Sequence, residues 1–183
     1  MADELIDICD ENNNLLGLQK MKSVAHQDGS WHRVVHVWIY NSSGEILLQL
    51  RSKEKAIFPN MWDVSVAGHI GSGETALNSG LRELIEEINL TVSVEDLQFS
   101  HIKKGGQSPK DFINNEFYYA YFFKFDGDIT GLKLQKEEVQ EIRFFTTDQI
   151  ETELKTMPEK YATHGDYWYE IINEVRERTK NNL

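Results

Sequence analysis

The run from Gly68 to Leu90, GHIGSGETALNSGLRELIEEINL, decides how the chain is read. A glycine-rich turn leads into a segment of helical period that carries Glu83, Glu86 and Glu87. At spacings i, i+3 and i+4 these carboxylates share one helix face. Leu77, Leu81, Leu84, Ile85 and Ile88 fall on the opposite arc and are expected to pack on a core. Ala76 and Gly80 lie toward the acidic side, where a small residue lets a backbone or a ligand come close.

Like charges this crowded repel, at about 0.2–0.5 kcal/mol for each i,i+4 pair. A hard divalent cation removes that cost, because Mg²⁺ accepts carboxylate oxygens and keeps its other positions for water and phosphate. Arg82 is placed to pair with a neighbouring carboxylate and hold it. A bare ExxEE is more often a solvated acidic face. The residues around this one change the balance.

Those residues resemble the Nudix box: glycine, five residues, glutamate, seven residues, then Arg-Glu-apolar-any-Glu-Glu-any-Gly-apolar. Here Gly68 is followed at those spacings by Glu74 and by Arg82 to Leu90, and only Asn89 departs, standing in place of the last glycine. Asn is the next best residue for a left-handed helix end, so the departure is mild. The resemblance implies a Nudix fold, an α/β/α sandwich around a mixed β-sheet. It also implies hydrolysis of a diphosphate joined to some other group, with Mg²⁺ or Mn²⁺ on the box. Carried over by position, the metal ligands are Glu83, Glu86, Glu87 and the Gly68 carbonyl, and Thr75 caps the helix. Glu86 is either a third ligand or the base that activates water.

Outward from the box, 183 residues with 40% hydrophobic and 11% aromatic content describe one globular domain over 1–183. The resemblance makes the hairpin within 1–25 a family extension. A formal charge of −11 argues against a nucleic-acid polymer or an anionic membrane as partner. It also means that an anionic substrate needs a cation or a local basic patch. The partner expected is therefore a small-molecule diphosphate, with a homodimer left open. One cysteine, Cys9, and an acidic N-terminus without an apolar run point to a cytoplasmic protein.

Strands are expected at Trp31–Tyr40, Glu45–Arg51, Trp62–Val66, Leu97–Ile102, Glu116–Phe125 and Val139–Phe145. Leu5–Gln19 reads as a hairpin, Met21–Ser30 as a loop containing His26, and Asp148–Leu154 and Asp166–Thr179 as helices. A polar loop containing Gly105, Gly106 and Pro109 joins two of the strands. Arg51, Lys53 and Lys55 are placed to contact phosphates, and Glu116 and Glu138 are further candidates for ligand, substrate contact or base. Strand-end glutamates are otherwise ordinary surface residues. Of Trp31, Trp38, Trp62 and Trp168, those at 38 and 62 sit within strand patterns and read as core.

A second resemblance runs from His26 through Glu116, to the Nudix relatives that include type I isopentenyl-diphosphate isomerase. In those enzymes three histidines and two glutamates hold a metal, and a cysteine transfers the proton. His26, His32, His69 and Glu116 match, whereas Ala67 replaces the cysteine and Asn114 replaces one glutamate. The isomerases carry a degraded box and this chain an intact one. The combination implies a hydrolase built on an isomerase-like chain, with an isomerase as the alternative that Ala67 disfavours.

Overall fold

In the computed structural model, which describes residues 3–107 and 113–180, the chain is organised on one strand, β3 (His32–Tyr40). Its β-branched and aromatic residues are buried on both faces, the mark of a central strand covered on two sides. β8 (Asn114–Lys124) runs parallel to it from His32↔Glu116 to Tyr40↔Lys124. β7 (Gln98–Gln107) pairs antiparallel on the far side of β8. Two strands share the other edge of β3: β6 (Val66–His69) pairs with residues 34–37, and β4 (Glu45–Arg51) with residues 39 and 40. β5 (Trp62–Asp63) and β9 (Val139–Thr146) pair with β4, completing a seven-stranded mixed sheet.

Strand alternation sends the two faces of β3 to different cores. Val34, Trp38 and Tyr40 join Tyr118, Phe122, Phe145 and the buried residues of α4 (Tyr167–Lys180), with Ile150 of α3 (Thr147–Thr156). Val35, Val37 and Ile39 pack instead with Leu84 and Ile88 of α2 (Ala76–Ile88). Helices on both faces of a mixed sheet give the expected α/β/α arrangement. The N-terminal hairpin, β1 (Leu5–Cys9) and β2 (Leu15–Met21), forms its own small sheet. It docks on the glycine-rich turn through the Ile6↔Gly71 bridge and the bond from Ser72 N–H to the Leu5 carbonyl, 2.9 Å. None of the described helices is long and apolar enough to cross a membrane.

Several expectations are corrected. Residues 22–28 form a helix, α1 (Lys22–Asp28), closed by Gly29 at φ 75°, where the sequence suggested a loop. The strand expected over 62–66 splits into β5 and β6. At the split, the Ser65 hydroxyl accepts from Ile39 N–H and donates to the Leu47 carbonyl, doing the work of ladder bonds between β3 and β4. β7 runs on through Gly105 and Gly106 because the edge of β8 continues to Asn114; Pro109 lies outside the described residues. On α2, Ile85 is exposed and not in the core, and Gly80 faces the sheet, abutting Val35 and Val37. Trp168, like Trp38 and Trp62, is buried, so none of the three offers a free face to a ligand.

Candidate active site

β6 delivers the chain to Gly68, and the turn that follows starts α2 with Thr75, whose hydroxyl accepts from Asn78 N–H. The helix ends at Asn89 in the left-handed conformation, φ 56°, as the substitution of Asn for Gly requires. Between these caps the acidic face divides. Glu83 and Glu87, one turn apart, are buried against the sheet, whereas Glu86 is exposed. Gly68 is what admits Glu83: a Cβ at position 68 would lie 2.1 Å from its carboxyl carbon. Glu87 accepts from Gln49 Nε2 at 3.2 Å.

Arg82 ties the cluster together. One terminal nitrogen donates to Glu83 at 2.7 Å and Glu86 at 3.2 Å, the other to the His69 carbonyl and to Glu74, each at 3.2 Å. Burial raises the Glu83 carboxyl to about 7 although Arg82 pulls it down. Burial and then the Glu83 charge push Glu87 well above the usual carboxylate range, only partly offset by Lys55 and Arg51. Two buried carboxylates that resist ionisation side by side suit a divalent cation, which supplies the missing positive charge.

Around this pair the sequence candidates fall unevenly. Glu138 and Glu116 are both buried and so are not ordinary surface glutamates, whereas Glu137 and Glu141 are exposed. Glu138 forms an ion pair with Lys55, so Lys55 is the basic-loop residue that the structure brings to the acids. Arg51 reaches Asp63 at 3.0 Å, while Lys53 is exposed and makes no ion pair among the described residues. Asp63 and Gln49 were not singled out from sequence, since neither stands in a motif and their partners are distant along the chain.

Beside the box lies a second cluster. His26 from α1, His32 from β3, His69 from β6 and Glu116 from β8 each present one ligand atom, all within 4.8 Å of one another. In each ring the other nitrogen faces an acceptor: His32 Nδ1 to the Ser30 carbonyl at 2.9 Å, His26 Nδ1 to the Ile113 carbonyl at 3.3 Å, and His69 Nδ1 to Glu4 at 3.5 Å. With those nitrogens as donors, the three Nε2 lone pairs point at one another and at Glu116. His32 Nε2 is buried with no hydrogen-bond partner, and His26 and His69 Nε2 stand 3.1 Å apart. Burial and then the His32 charge lower His26 to about 4 and hold His69 well below its ordinary value, which keeps both neutral. Converging imidazoles with a carboxylate fit a borderline divalent cation. Asn114, where the isomerases have a glutamate, donates to Glu116 at 2.7 Å. Ala67 pairs with His36 and points to the face of β6 away from Glu83.

Comparison with known proteins bears on the family and the fold. The NUDIX domain profile matches residues 30–165. Nudix hydrolase 3 of Arabidopsis thaliana is 33% identical over the whole chain, which spans 24% of that longer protein. The isopentenyl-diphosphate Delta-isomerase of Serratia proteamaculans is 31% identical over 87% of the chain and 86% of its own length. Among solved structures, DR0079 of Deinococcus radiodurans superposes with a TM-score of 0.67 at 26% identity, covering 94% of this chain and 99% of that one. The profile match and these identities make the chain a member of the Nudix hydrolase family, enzymes that act on pyrophosphate bonds.

Proposed function

We propose that the protein is a Mg²⁺- or Mn²⁺-dependent pyrophosphohydrolase cleaving a diphosphate linkage in a nucleoside diphosphate derivative or a related small molecule. The observation that carries this reading is the Glu83–Glu87 pair, buried and one turn apart, with Glu83 packed against Gly68. Glu83, Glu87 and the Gly68 carbonyl would hold the cation, with Glu86 beside them as a third carboxylate. A cation bound there would neutralise the phosphate oxygens and stabilise charge on the leaving group.

The chain's own residues do the rest. Arg82 positions Glu83 and Glu86 by donating to both. Lys55 and Arg51, whose charges act on Glu87, bind the diphosphate, and Lys53 adds a cation at the outer edge of the same connection. Glu138, buried beside Lys55, takes the proton of the attacking water once Lys55 turns to phosphate, with Glu86 the other carboxylate available. His26, His32, His69 and Glu116 would hold a second cation, bringing Glu116 toward the substrate. Residues 1–183 act as one domain.

An ADP-ribose complex is on record for the Nudix domain of Shewanella oneidensis NrtR; that likeness, at 13% identity, is one of fold and puts ADP-ribose on the panel to be screened. The test is release of a phosphate-containing product from nucleoside diphosphates, nucleotide sugars, dinucleotides and prenyl diphosphates with Mg²⁺ or Mn²⁺. Glu87→Gln should abolish it, and full activity in that variant would overturn the assignment. The histidine cluster favours one alternative, isomerisation of isopentenyl diphosphate. Ala67 has no proton to transfer, so conversion to the allylic isomer should stay at background.

A further inference from the structure

Arg51 is held from two directions. Its Nε donates to the Ile57 carbonyl at 3.1 Å and its Nη1 to Asp63 Oδ2 at 3.0 Å. Nη2 makes no hydrogen bond among the described residues, and the side chain is 15% exposed. The sheet sets this up: β5 runs antiparallel to β4 with Gln49 opposite Asp63, so Arg51 and Asp63 are diagonal neighbours. Gln49 in turn bonds Glu87 at 3.2 Å, and the Arg51 charge acts on that same carboxylate.

Asp63 is buried, and both of its oxygens are occupied. Oδ2 takes Arg51, while Oδ1 accepts from His164 Nε2 at 2.7 Å and from Val64 N–H at 2.8 Å. Burial alone would raise the carboxyl, but the charge and hydrogen bond of His164, then the Arg51 charge, hold it far below the usual carboxylate range. His164 is itself fixed, its ring enclosed by those of His36, Tyr118 and Trp168 at centroid distances of 5.7 to 5.8 Å.

An arginine and a free carboxylate commonly close a bidentate fork, two parallel bonds that use two guanidinium nitrogens. Here Oδ1 is already taken, so Asp63 offers Arg51 one oxygen and Nη2 stays available. We infer, resting on the reading of Arg51 as a diphosphate contact, that Asp63 and His164 are its positioning residues. Asp63 orients the guanidinium, and His164 keeps that pairing single, so that Nη2 is left for a phosphate oxygen. Fixing the fork before the substrate arrives removes rotamer entropy that a long side chain otherwise loses on binding. The charge of Asp63 works the other way, because a carboxylate beside the site repels a diphosphate. Orientation must outweigh that repulsion, which gives the test its sign. Asparagine cannot take over the role, since one amide oxygen cannot serve the three donors that two carboxylate oxygens serve.

The test is calorimetric binding of methylenediphosphonate, with Mg²⁺, to the full chain, and each variant is also melted to check its fold. Asp63→Asn should weaken binding by about tenfold, as the loss of one charge-assisted hydrogen bond does. His164→Ala should weaken it by a smaller factor. His164→Gln, whose amide nitrogen still donates toward Oδ1, should restore most of that loss. Arg51→Lys keeps the charge and loses the fork, so in that background neither Asp63→Asn nor His164→Ala should change binding by more than about twofold. Tighter or unchanged binding in Asp63→Asn would overturn the positioning role. So would an equal loss in the Arg51→Lys background, the result that a merely structural pair gives. A parent protein that does not bind methylenediphosphonate would instead overturn the diphosphate reading, and the role of Asp63 and His164 with it.

Discussion

Gly68 and Glu83 compete for one space: a Cβ at position 68 would come within 2.1 Å of the Glu83 carboxyl carbon, although the residues lie on different elements. β6 packs directly on α2, which brings the backbone at Gly68 against the Glu83 side chain. Gly68→Ala must therefore push Glu83 aside. With the sheet and helix otherwise intact, melting should change little while kcat/KM falls by about 100-fold or more, the usual consequence of displacing a reacting group by an ångström. Retained activity would show that Glu83 is not needed where it stands.

Glu87 supplies a second prediction, through stability. Its folded-state pKa is raised by burial and by Glu83, so the protonated form is the stable one. The sign follows from linkage: stability is present below the unfolded carboxylate value and is lost as pH rises toward the raised folded value. Without metal, Glu87→Gln should melt higher than the parent at pH 8, by about 1–3 kcal/mol in stability, and much like it at pH 4. Mg²⁺ should stabilise the parent and not the variant. Calorimetry at both pH values, with and without chelator, decides it.

His36 works in the opposite direction. Burial and then the His164 charge lower it to about 3, so it is neutral when folded and free to protonate when unfolded. Between roughly pH 6.5 and 3 the unfolded state binds the extra proton, so this residue contributes full stability above 6.5 and loses it as pH falls. The cost approaches 1.4 kcal/mol per pH unit within that window. His36→Phe, which keeps a flat ring against Tyr118, should flatten the acid limb of the melting profile. An unchanged limb would mean that other groups govern it.

The box could be read from the chain because its chemistry is local: turn, cap, carboxylate spacing and helix end lie within Gly68–Leu90. The central strands were legible for the same reason, since alternation survives in any window. What could not be read depends on distant partners. Glu83 and Glu87 separate from Glu86 only because the sheet approaches one side of α2, an approach signalled by nothing in ExxEE. Lys55, not Lys53, meets Glu138 because an irregular connection fixes their directions. Asp63 and His164 are 101 positions apart, and neither has a local pattern that predicts the other. α1 was missed because its start lacks a side-chain cap; Gly29 was the one signal available.

The last prediction concerns the histidine cluster, where Asn114 and Glu116 meet. Asn114 Nδ2 donates to Glu116 at 2.7 Å while its own Oδ1 is buried without a partner. That side chain turns one oxygen of Glu116 away from the three imidazoles and adds no charge. If the cluster holds a cation, Asn114→Glu should tighten it by adding a second carboxylate, and His32→Ala should weaken it by 10- to 100-fold or about that range. Competition with a chelator for Mn²⁺ or Zn²⁺ measures both. Neither variant should alter the thermal shift that Mg²⁺ gives through Glu83 and Glu87, because that pair stands on the other face of β6. Equal metal content in the parent and in His32→Ala would mean that the ring nitrogens of His26, His32 and His69 converge for hydrogen bonding alone, one of them carrying the proton.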